Sequence, residues 1–438
     1  VSSAPTTIPA PGVKTGVEYK YFLDCVHCGL CTSACPTYVE LGTEMDGPRG
    51  RIHLMKAMTD GRIGMTPEAV NHLELCLDCR ACETACPSGV QYGRLIEPFR
   101  VALEKHKVKA QGRNWFHRWI LFPLFPYAGR MRLALWPARI AQKLGLDRFF
   151  LETLGIGKLL PPVLRQMTKM LPPLGPSLPA LPERLPPKGP KRATVALLTG
   201  CVADAVFRAT HWATARVLQE NGCEVLVPRG QDCCGAIHYH AGEEGPAIER
   251  AIRNAQAIDA DAVDAVIVNV AGCGAMLKDY HHLPIPAEHR ERVTKFASKV
   301  RDISEFLAKL GPIKPTGPIP RRVAYHDACH LAHAQQIRVQ PRELLALIPG
   351  LEVVPIADAE LCCGAAGTYN LTQPEMAEKL AARKSNAVAE VNVDGLVTPN
   401  AGCMLHIGRK LREDGRKVWL AHPVELLDLS YRGLPPPG

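Results

Sequence analysis

Two cysteine runs constrain this chain more than any other feature: "CVHCGLCTSACP" and "CLDCRACETACP". They place Cys25, Cys28, Cys31 and Cys35, then Cys76, Cys79, Cys82 and Cys86, at one shared spacing, C-x2-C-x2-C-x3-C, each closed by proline. Thiolates two residues apart on a short loop can wrap three corners of an iron–sulfur cubane. Zinc sites usually use two C-x-x-C halves set further apart. The spacing therefore points to [4Fe–4S] clusters.

The run is that of bacterial two-cluster ferredoxins, in which the fourth cysteine ligates the other cluster. This assigns one cluster to Cys25, Cys28, Cys31 and Cys86, and the other to Cys76, Cys79, Cys82 and Cys35. Crossed ligation places two clusters close together, as electron tunnelling needs. Forty residues separate the runs, including "GPRGRIHLMKAM". That length predicts a helical ferredoxin unit with an inserted helix pair instead of a compact β-rich one. Arg49 and Arg51 fit a position near a cluster or partner, and equally a solvated or helix-capping role.

The remaining nine cysteines lie beyond residue 192, in two similar halves. Cys201, the pair Cys233–Cys234 and Cys273 recur as Cys329, Cys362–Cys363 and Cys403. The intervals match: 32 and 33 residues to the pair, then 39 and 40 to the last thiol. Each half alternates apolar runs such as "TVALLTGC", "AVIVNVAGC" and "GLVTPNAGC" with helical stretches such as "EMAEKLAARKSNAVAE". Strand–helix alternation with apolar strands predicts parallel sheets buried on both faces, with right-handed crossovers. The runs predict strands that end at Cys201, Cys273, Cys329 and Cys403. The thiols then fall just past the carboxyl ends of strands, where open α/β sheets build their sites. Glycine after each pair lets the backbone turn sharply. Four thiols per half suit an iron–sulfur cluster, tetrahedral zinc or a redox dithiol, in one half or both. Cys223 has no counterpart and reads as a small core residue.

Proline marks the boundaries. Residues 171–192, "LPPLGPSLPALPERLPPKGPKR", hold eight prolines in 22 positions and predict an extended connector. A second proline-rich stretch, "GPIKPTGPIP", spans residues 311–320. The expected organisation is α+β and multidomain. It comprises a helical two-cluster ferredoxin unit over 17–110, a helical and proline-rich connector over 111–192, and a duplicated α/β cysteine-rich domain over 193–311 and 320–438.

Composition narrows the function classes. The net charge of +9 on 438 residues is mild, and no nucleic-acid module signature is present. The start, "VSSAPTTIPAPGVKTG", lacks the basic and apolar blocks of a signal peptide and reads as a flexible tail. No apolar run approaches 18 residues, so no spanning helix is expected. Seventeen thiols then suit a reducing cytoplasm. No P-loop, nucleophilic triad or dinucleotide fingerprint follows a predicted strand, so flavin and substrate are expected on another polypeptide.

The combination "CVHCGLC…CPTY…GPRGRI…CLDCRAC…CPSGVQYGRLIEP", followed by two CCG halves, resembles the iron–sulfur subunits of bacterial glycolate oxidases over nearly the whole chain. The wider group includes iron–sulfur subunits of lactate utilisation, anaerobic glycerol-3-phosphate dehydrogenase and heterodisulfide reductase. The resemblance implies FAD-containing partner subunits that oxidise a 2-hydroxy acid such as glycolate to glyoxylate. It implies an electron relay here towards a quinone or membrane acceptor, with the subunit peripheral on the inner face of the membrane. The wider group leaves lactate, glycerol 3-phosphate and heterodisulfide chemistry as alternatives. In heterodisulfide reductase each half ends in C-x-x-C, giving five thiols for a noncubane cluster. Here "GAM" follows Cys273 and "MLH" follows Cys403, so four thiols per half fit an ordinary [4Fe–4S] cluster better.

Two further features stand out. The stretch from "NWFHRWILFPLFPYAGRMRLALWPAR" onward mixes Trp, Phe, Leu and Arg with few acids, which suits either an interfacial surface or helices packed between domains. His238, His240, His326, His330 and His333 crowd the CCG motifs. They read mainly as polar residues at loop and helix starts, with ligation or proton transfer as the alternative.

Overall fold

The computed structural model describes residues 15–106, 115–146, 160–175 and 177–436. Most of the predicted N-terminal tail, and residues 147–159 of the aromatic and arginine-rich stretch, lie outside the described residues.

The N-terminal unit is helical. Helices Pro36–Leu41, Pro48–Thr59 and Pro67–Glu74 each open with proline, where the missing N–H costs no helical hydrogen bond. Thr66 caps the third by accepting from the Ala69 N–H. The second and third helices are the pair expected between the cysteine runs. Their apolar faces meet helix Gly93–Lys105 around Met55, Val70, Leu73, Leu95, Ile96 and Phe99. Gly50 lets helix Pro48–Thr59 fold back on the turn before it, because a Cβ there would lie 2.1 Å from the Glu44 carbonyl oxygen.

Two sheets follow. The first comprises β1 (Arg184–Leu185), β2 (Ala193–Leu197), β3 (Cys223–Leu226), β4 (Ala265–Val268) and β5 (Val300–Asp302), in the order β1-β3-β2-β4-β5. The second comprises β6 (Arg321–Tyr325), β7 (Leu351–Val354), β8 (Gly395–Val397) and β9 (Trp419–Ala421), in the order β7-β6-β8-β9. All pairings are parallel except that of β1 with β3. Setting β1 aside, the two sheets share one strand order, so the duplication is structural. In each, the order reverses between the first and third strands, β2 and β4 or β6 and β8. The crevice of an open α/β sheet lies there.

One expectation gains detail and another needs correction. The proline-rich 171–192 stretch is mostly extended, but Arg184–Leu185 joins the sheet edge beside β3, burying Leu185. The strands are also shorter than the apolar runs. Cys273 and Cys403 fall in the first turns of helices Ala271–Lys278 and Ala401–Glu413. The "AGC" residues there are small and poor strand formers, so the backbone coils as soon as the sheet's buried edge ends.

The halves exchange helices. The C-terminal helix Pro423–Tyr431 packs on Arg208–Glu220 of the first half, and Ile303–Leu310 packs on Gln340–Ala346 of the second. Val217, Leu218, Phe306, Leu344, Val424 and Leu427 share one apolar core. Arg216 donates two hydrogen bonds to the Asp428 carboxylate, both 2.7 Å, at its rim.

Between the units, helix Ala128–Lys143 buries only Met131. Arg132 pairs with Asp204, and Arg139 donates to the Ala205 carbonyl oxygen at 3.2 Å, tying one face to the first half. Trp119, Leu133, Trp136 and Leu144 are exposed. Among the described residues no helix is long and apolar enough to cross a membrane.

Candidate metal centres

Four groups of thiols emerge. Cys25, Cys28, Cys31 and Cys86 line one small cavity with Arg49. Cys35, Cys76, Cys79 and Cys82 line a second with Arg51. Cys82 borders both, so the two sites are adjacent.

The loops reach this geometry through unusual backbone. His27 and Gly29 in the first run, and Asp78 and Arg80 in the second, all have φ between 53° and 84°. These are the same two positions of each C-x2-C-x2-C run. Non-glycine residues adopt that region at a cost that surrounding contacts must offset. Arg49 donates to the His27 carbonyl oxygen at 3.0 Å and pairs with Glu44 at 2.7 Å. Arg80 is buried and pairs with Asp78 at 2.9 Å and Glu97 at 3.0 Å. A Cβ at Gly93 would collide with the Arg80 guanidinium, so glycine makes room for it. Arg51 is also buried. It donates to the His72 carbonyl oxygen (2.7 Å) and to Thr37 Oγ1 (2.9 Å), and it reaches Cys35 Sγ at 3.9 Å. Arg49 and Arg51 therefore brace the cluster loops from helix Pro48–Thr59.

Burial pushes the Cys31 thiol up to about 11 and the Cys79 and Cys82 thiols well above their ordinary value, and neighbouring thiols add to it. Such groups become thiolates only when something cationic takes the proton's place. All seventeen cysteines are free, so disulfides do not account for the clustering.

The cysteine-rich halves converge on one cavity of about 330 Å³, lined by all eight CCG-site thiols. Cys201 Sγ lies 3.3 Å from Cys233 Sγ, Cys363 Sγ lies 3.3 Å from Cys403 Sγ, and Cys329 Sγ lies 3.8 Å from Cys362 Sγ. Gly235 (φ 86°) and Gly364 (φ 91°) turn the chain after each pair. An added Cβ would press on the helix backbone at Ala247 (3.3 Å) or Ala377 (3.0 Å). Hydrogen bonds from Cys201 and Cys234 pull Cys233 well below its ordinary pKa and push both donors up. A sulfur-rich, largely buried donor set of this kind fits a soft-metal centre. Cys223 sits apart, fully buried in β3.

The N-terminal unit abuts the second half. Cys79 interacts electrostatically with Cys329 and Cys362. His330 Nε2 donates across the junction to the Asp78 carbonyl oxygen at 2.8 Å. Tyr369 Oη donates to the Leu75 carbonyl oxygen at 2.9 Å.

The histidines do lie in loops and short helical turns, but most are buried there. His238, His326 and His333 are buried, and His240 lies beside Asp78 (3.4 Å) and Glu97 (3.5 Å). Burial lowers His238 to about 4 and His240 to about 3, so both are neutral near pH 7. Sequence reasoning missed Lys384, which is 1% exposed and within electrostatic reach of Cys363, Cys362 and Cys403. It also missed the Asp78–Arg80–Glu97 network. Charged residues inside a cysteine run were the available signal.

Comparison with known proteins agrees with this architecture. Residues 21–90 match a 4Fe-4S dicluster domain. Residues 195–278 and 323–408 match the cysteine-rich CCG domain. Residues 112–171 match the linker region of the glycolate oxidase iron-sulfur subunit. The chain thus carries a domain type that holds two [4Fe–4S] clusters, and its cysteine-rich halves fit further ones. The probable glycolate oxidase iron-sulfur subunit of Bacillus subtilis (strain 168) is 39% identical, over 94% of this chain and 95% of that protein. The glycolate oxidase iron-sulfur subunit of Escherichia coli (strain K12) is 33% identical, over 92% and 93%. A fumarate reductase (CoM/CoB) subunit of Methanothermobacter marburgensis is 30% identical, over 94% of this chain and 73% of its own. With two full-length relatives of one kind, a matching linker and both cysteine-rich units in order, the chain belongs to the glycolate oxidase iron-sulfur subunit family.

Proposed function

We propose that this chain relays electrons from a FAD-containing partner, which oxidises glycolate to glyoxylate, towards a quinone-linked acceptor. One observation carries the reading: the thiol sets form an unbroken line. The Cys25 set and the Cys76 set share Cys82 as a wall, Cys79 abuts Cys329 and Cys362, and both CCG sets open on one cavity. Iron–sulfur clusters, when bound, supply one-electron steps to such a line. The ligands follow the crossed assignment, with Cys86 joining Cys25, Cys28 and Cys31, and Cys35 joining Cys76, Cys79 and Cys82. The other two sets are Cys201, Cys233, Cys234 and Cys273, and Cys329, Cys362, Cys363 and Cys403. The working domain limits are 17–110, 111–192, 193–311 and 320–438.

The chain's own residues position this line. The buried Arg51 and Arg80 offset thiolate charge around the ferredoxin-type sites, and the CCG glycines bring paired thiols onto one side of the turn. Location in the cytoplasm, peripheral to its membrane, suits the exposed stripe Leu133, Trp136, Ile140 and Leu144. Five basic and no acidic side chains occupy residues 115–146, which favours an anionic lipid surface.

Anaerobic metal analysis with EPR tests the relay. Four filled centres require about 16 irons. About 8 irons with stoichiometric zinc would refute passage through the CCG halves. Reduction of the chain's centres by glycolate, compared with lactate, in the complex with its flavoprotein partner tests the substrate.

A further inference from the structure

The two CCG sites are built on one scaffold but surrounded differently. Leu198 and His326 are equivalent positions. Each is the first residue beyond the first strand of its sheet, after Leu197 or Tyr325. Each donates its backbone N–H to the third strand: Leu198 to the Ile267 carbonyl oxygen (3.0 Å), His326 to that of Val397 (2.9 Å). Each stands three residues before the half's first thiol. Asn254 and Lys384 are also equivalent. Each lies seven residues beyond the helical alanine, Ala247 or Ala377, that packs on the glycine of its CCG turn.

What occupies these positions differs in charge and hydrogen bonding. In the first half, Leu198 is apolar. The Asn254 amide is spent on local structure, donating to the Cys233 carbonyl oxygen and Tyr280 Oη (both 3.1 Å) and accepting from the Asp232 N–H (2.7 Å). In the second half, His326 is 1% exposed; neither ring nitrogen makes a hydrogen bond of normal length and angle, and the Ala359 backbone is the polar main-chain group nearest its ring. A ring nitrogen, Cys363 Sγ and Cys403 Sγ all lie within 4.8 Å of one another. A buried polar group without a well-formed hydrogen bond is costly, and its presence calls for something it binds. Lys384 adds an amine to the same site, held by the Asp358 and Ala359 carbonyl oxygens.

We propose that His326 contacts the metal centre of the second half through a ring nitrogen, and that with Lys384 it makes this centre easier to reduce than that of the first half. This rests on the reading that both halves hold iron–sulfur centres. Reduction adds one electron, and so one negative charge, to the centre; the neighbouring ferredoxin-type centre gives up that electron, and no proton moves. A donor N–H or a cation beside the sulfurs favours the more negative state, and a nitrogen ligand in place of a thiolate lowers the centre's negative charge. Electrons leaving the Cys79 side therefore collect in the second half before any reach the first.

The test uses the cluster-loaded full chain labelled with 15N-histidine. Pulsed EPR of the reduced protein should show one centre coupled to a histidine nitrogen. The coupling should vanish in His326→Leu and persist in His330→Gln. In a potentiometric titration, His326→Leu and Lys384→Asn, each installing the first half's residue, should each weaken reduction of that centre about tenfold, equivalent to about 59 mV for one electron. If His326→Leu fails to load its centre, Lys384→Asn carries the titration. About 16 irons with no histidine coupling, or with potentials unmoved in the loaded variants, would overturn this inference alone. About 8 irons would overturn the underlying reading, and this inference with it.

Discussion

The N-terminal unit and the cysteine-rich halves solve one problem, gathering four thiols at one point, in opposite ways. In the N-terminal unit the ligands come from two short runs, and the loops bend through left-handed residues. Cys76 sits in the same apolar core as Met55, Leu73 and Phe99. Metal site and fold are there nearly one object. In the halves, Cys201 and Cys273 are 72 residues apart and meet only because a parallel sheet aligns its strand ends. The core shared by the two halves, around Val217, Leu345 and Leu427, holds none of the eight CCG-site thiols, which lie instead in each half's own core: Cys201, Cys233 and Cys234 beside Val266 and Tyr280, Cys363 and Cys403 beside Leu396 and Ile407. The difference lies in what closes each site, two short loops in the N-terminal unit and a sheet with a shared inter-half core in the other, so the first is expected to depend more on its metal to hold shape.

Removing ligands should expose this contrast most strongly. Cys79→Ser and Cys234→Ser should each lose about 4 irons. Only Cys79→Ser should also loosen its surrounding helices, as read by hydrogen exchange; equal loosening in both would erase the distinction. A smaller effect is expected from Gly364→Ala and Gly235→Ala. Left-handed backbone plus contact with the helix should cost roughly 1–3 kcal/mol in thermal or denaturant unfolding. Gly364→Ala should cost more, since its Cβ would approach the Ala377 carbonyl oxygen at 3.0 Å.

Acid should sharpen the comparison further. Burial lowers His211, His238 and His406 to about 4 and His240 and His422 to about 3, and all five lie in the halves. Each binds its proton more readily when unfolded. Their stabilising contribution is therefore full above about pH 6.5 and is lost as pH falls towards 4 or 3, by up to about 1.4 kcal/mol per pH unit for each histidine. The halves should unfold at a higher pH than the N-terminal unit, and His422→Gln should flatten the slope. Paired Leu133→Glu and Trp136→Glu should change stability by less than about 0.5 kcal/mol, as at open surface positions. Sedimentation with anionic vesicles should fall; unchanged sedimentation would remove the linker helix as the membrane contact.

Much of this was legible from spacing alone. The C-x2-C-x2-C-x3-C runs, the matching 32- and 33-residue intervals and the strand–helix alternation carry the α+β architecture and its duplication. The short edge strand Arg184–Leu185 was not legible, since proline-rich sequence excludes only helix and central strand and contact with β3 alone creates the pairing. Nor was the helical placement of Cys273 and Cys403, because an apolar run continues past the strand into the buried start of a helix. Histidines near the motifs could be noticed, but nothing local separates His326, buried without a hydrogen bond of normal geometry, from His333, whose ring is bonded to Thr84 and Glu360.

By itself the sequence determined which thiols exist, their grouping into runs and repeats, and hence the family, because ligand spacing on a short loop is a local property of the chain. Only the tertiary structure decided that both CCG sets share one cavity, that Cys79 stands next to Cys329, and that a histidine and a lysine flank one set while a leucine and an asparagine flank the other. Those relations depend on which strand ends align and which helix faces pack. Long-range burial sets them, and no spacing between neighbours along the chain encodes it.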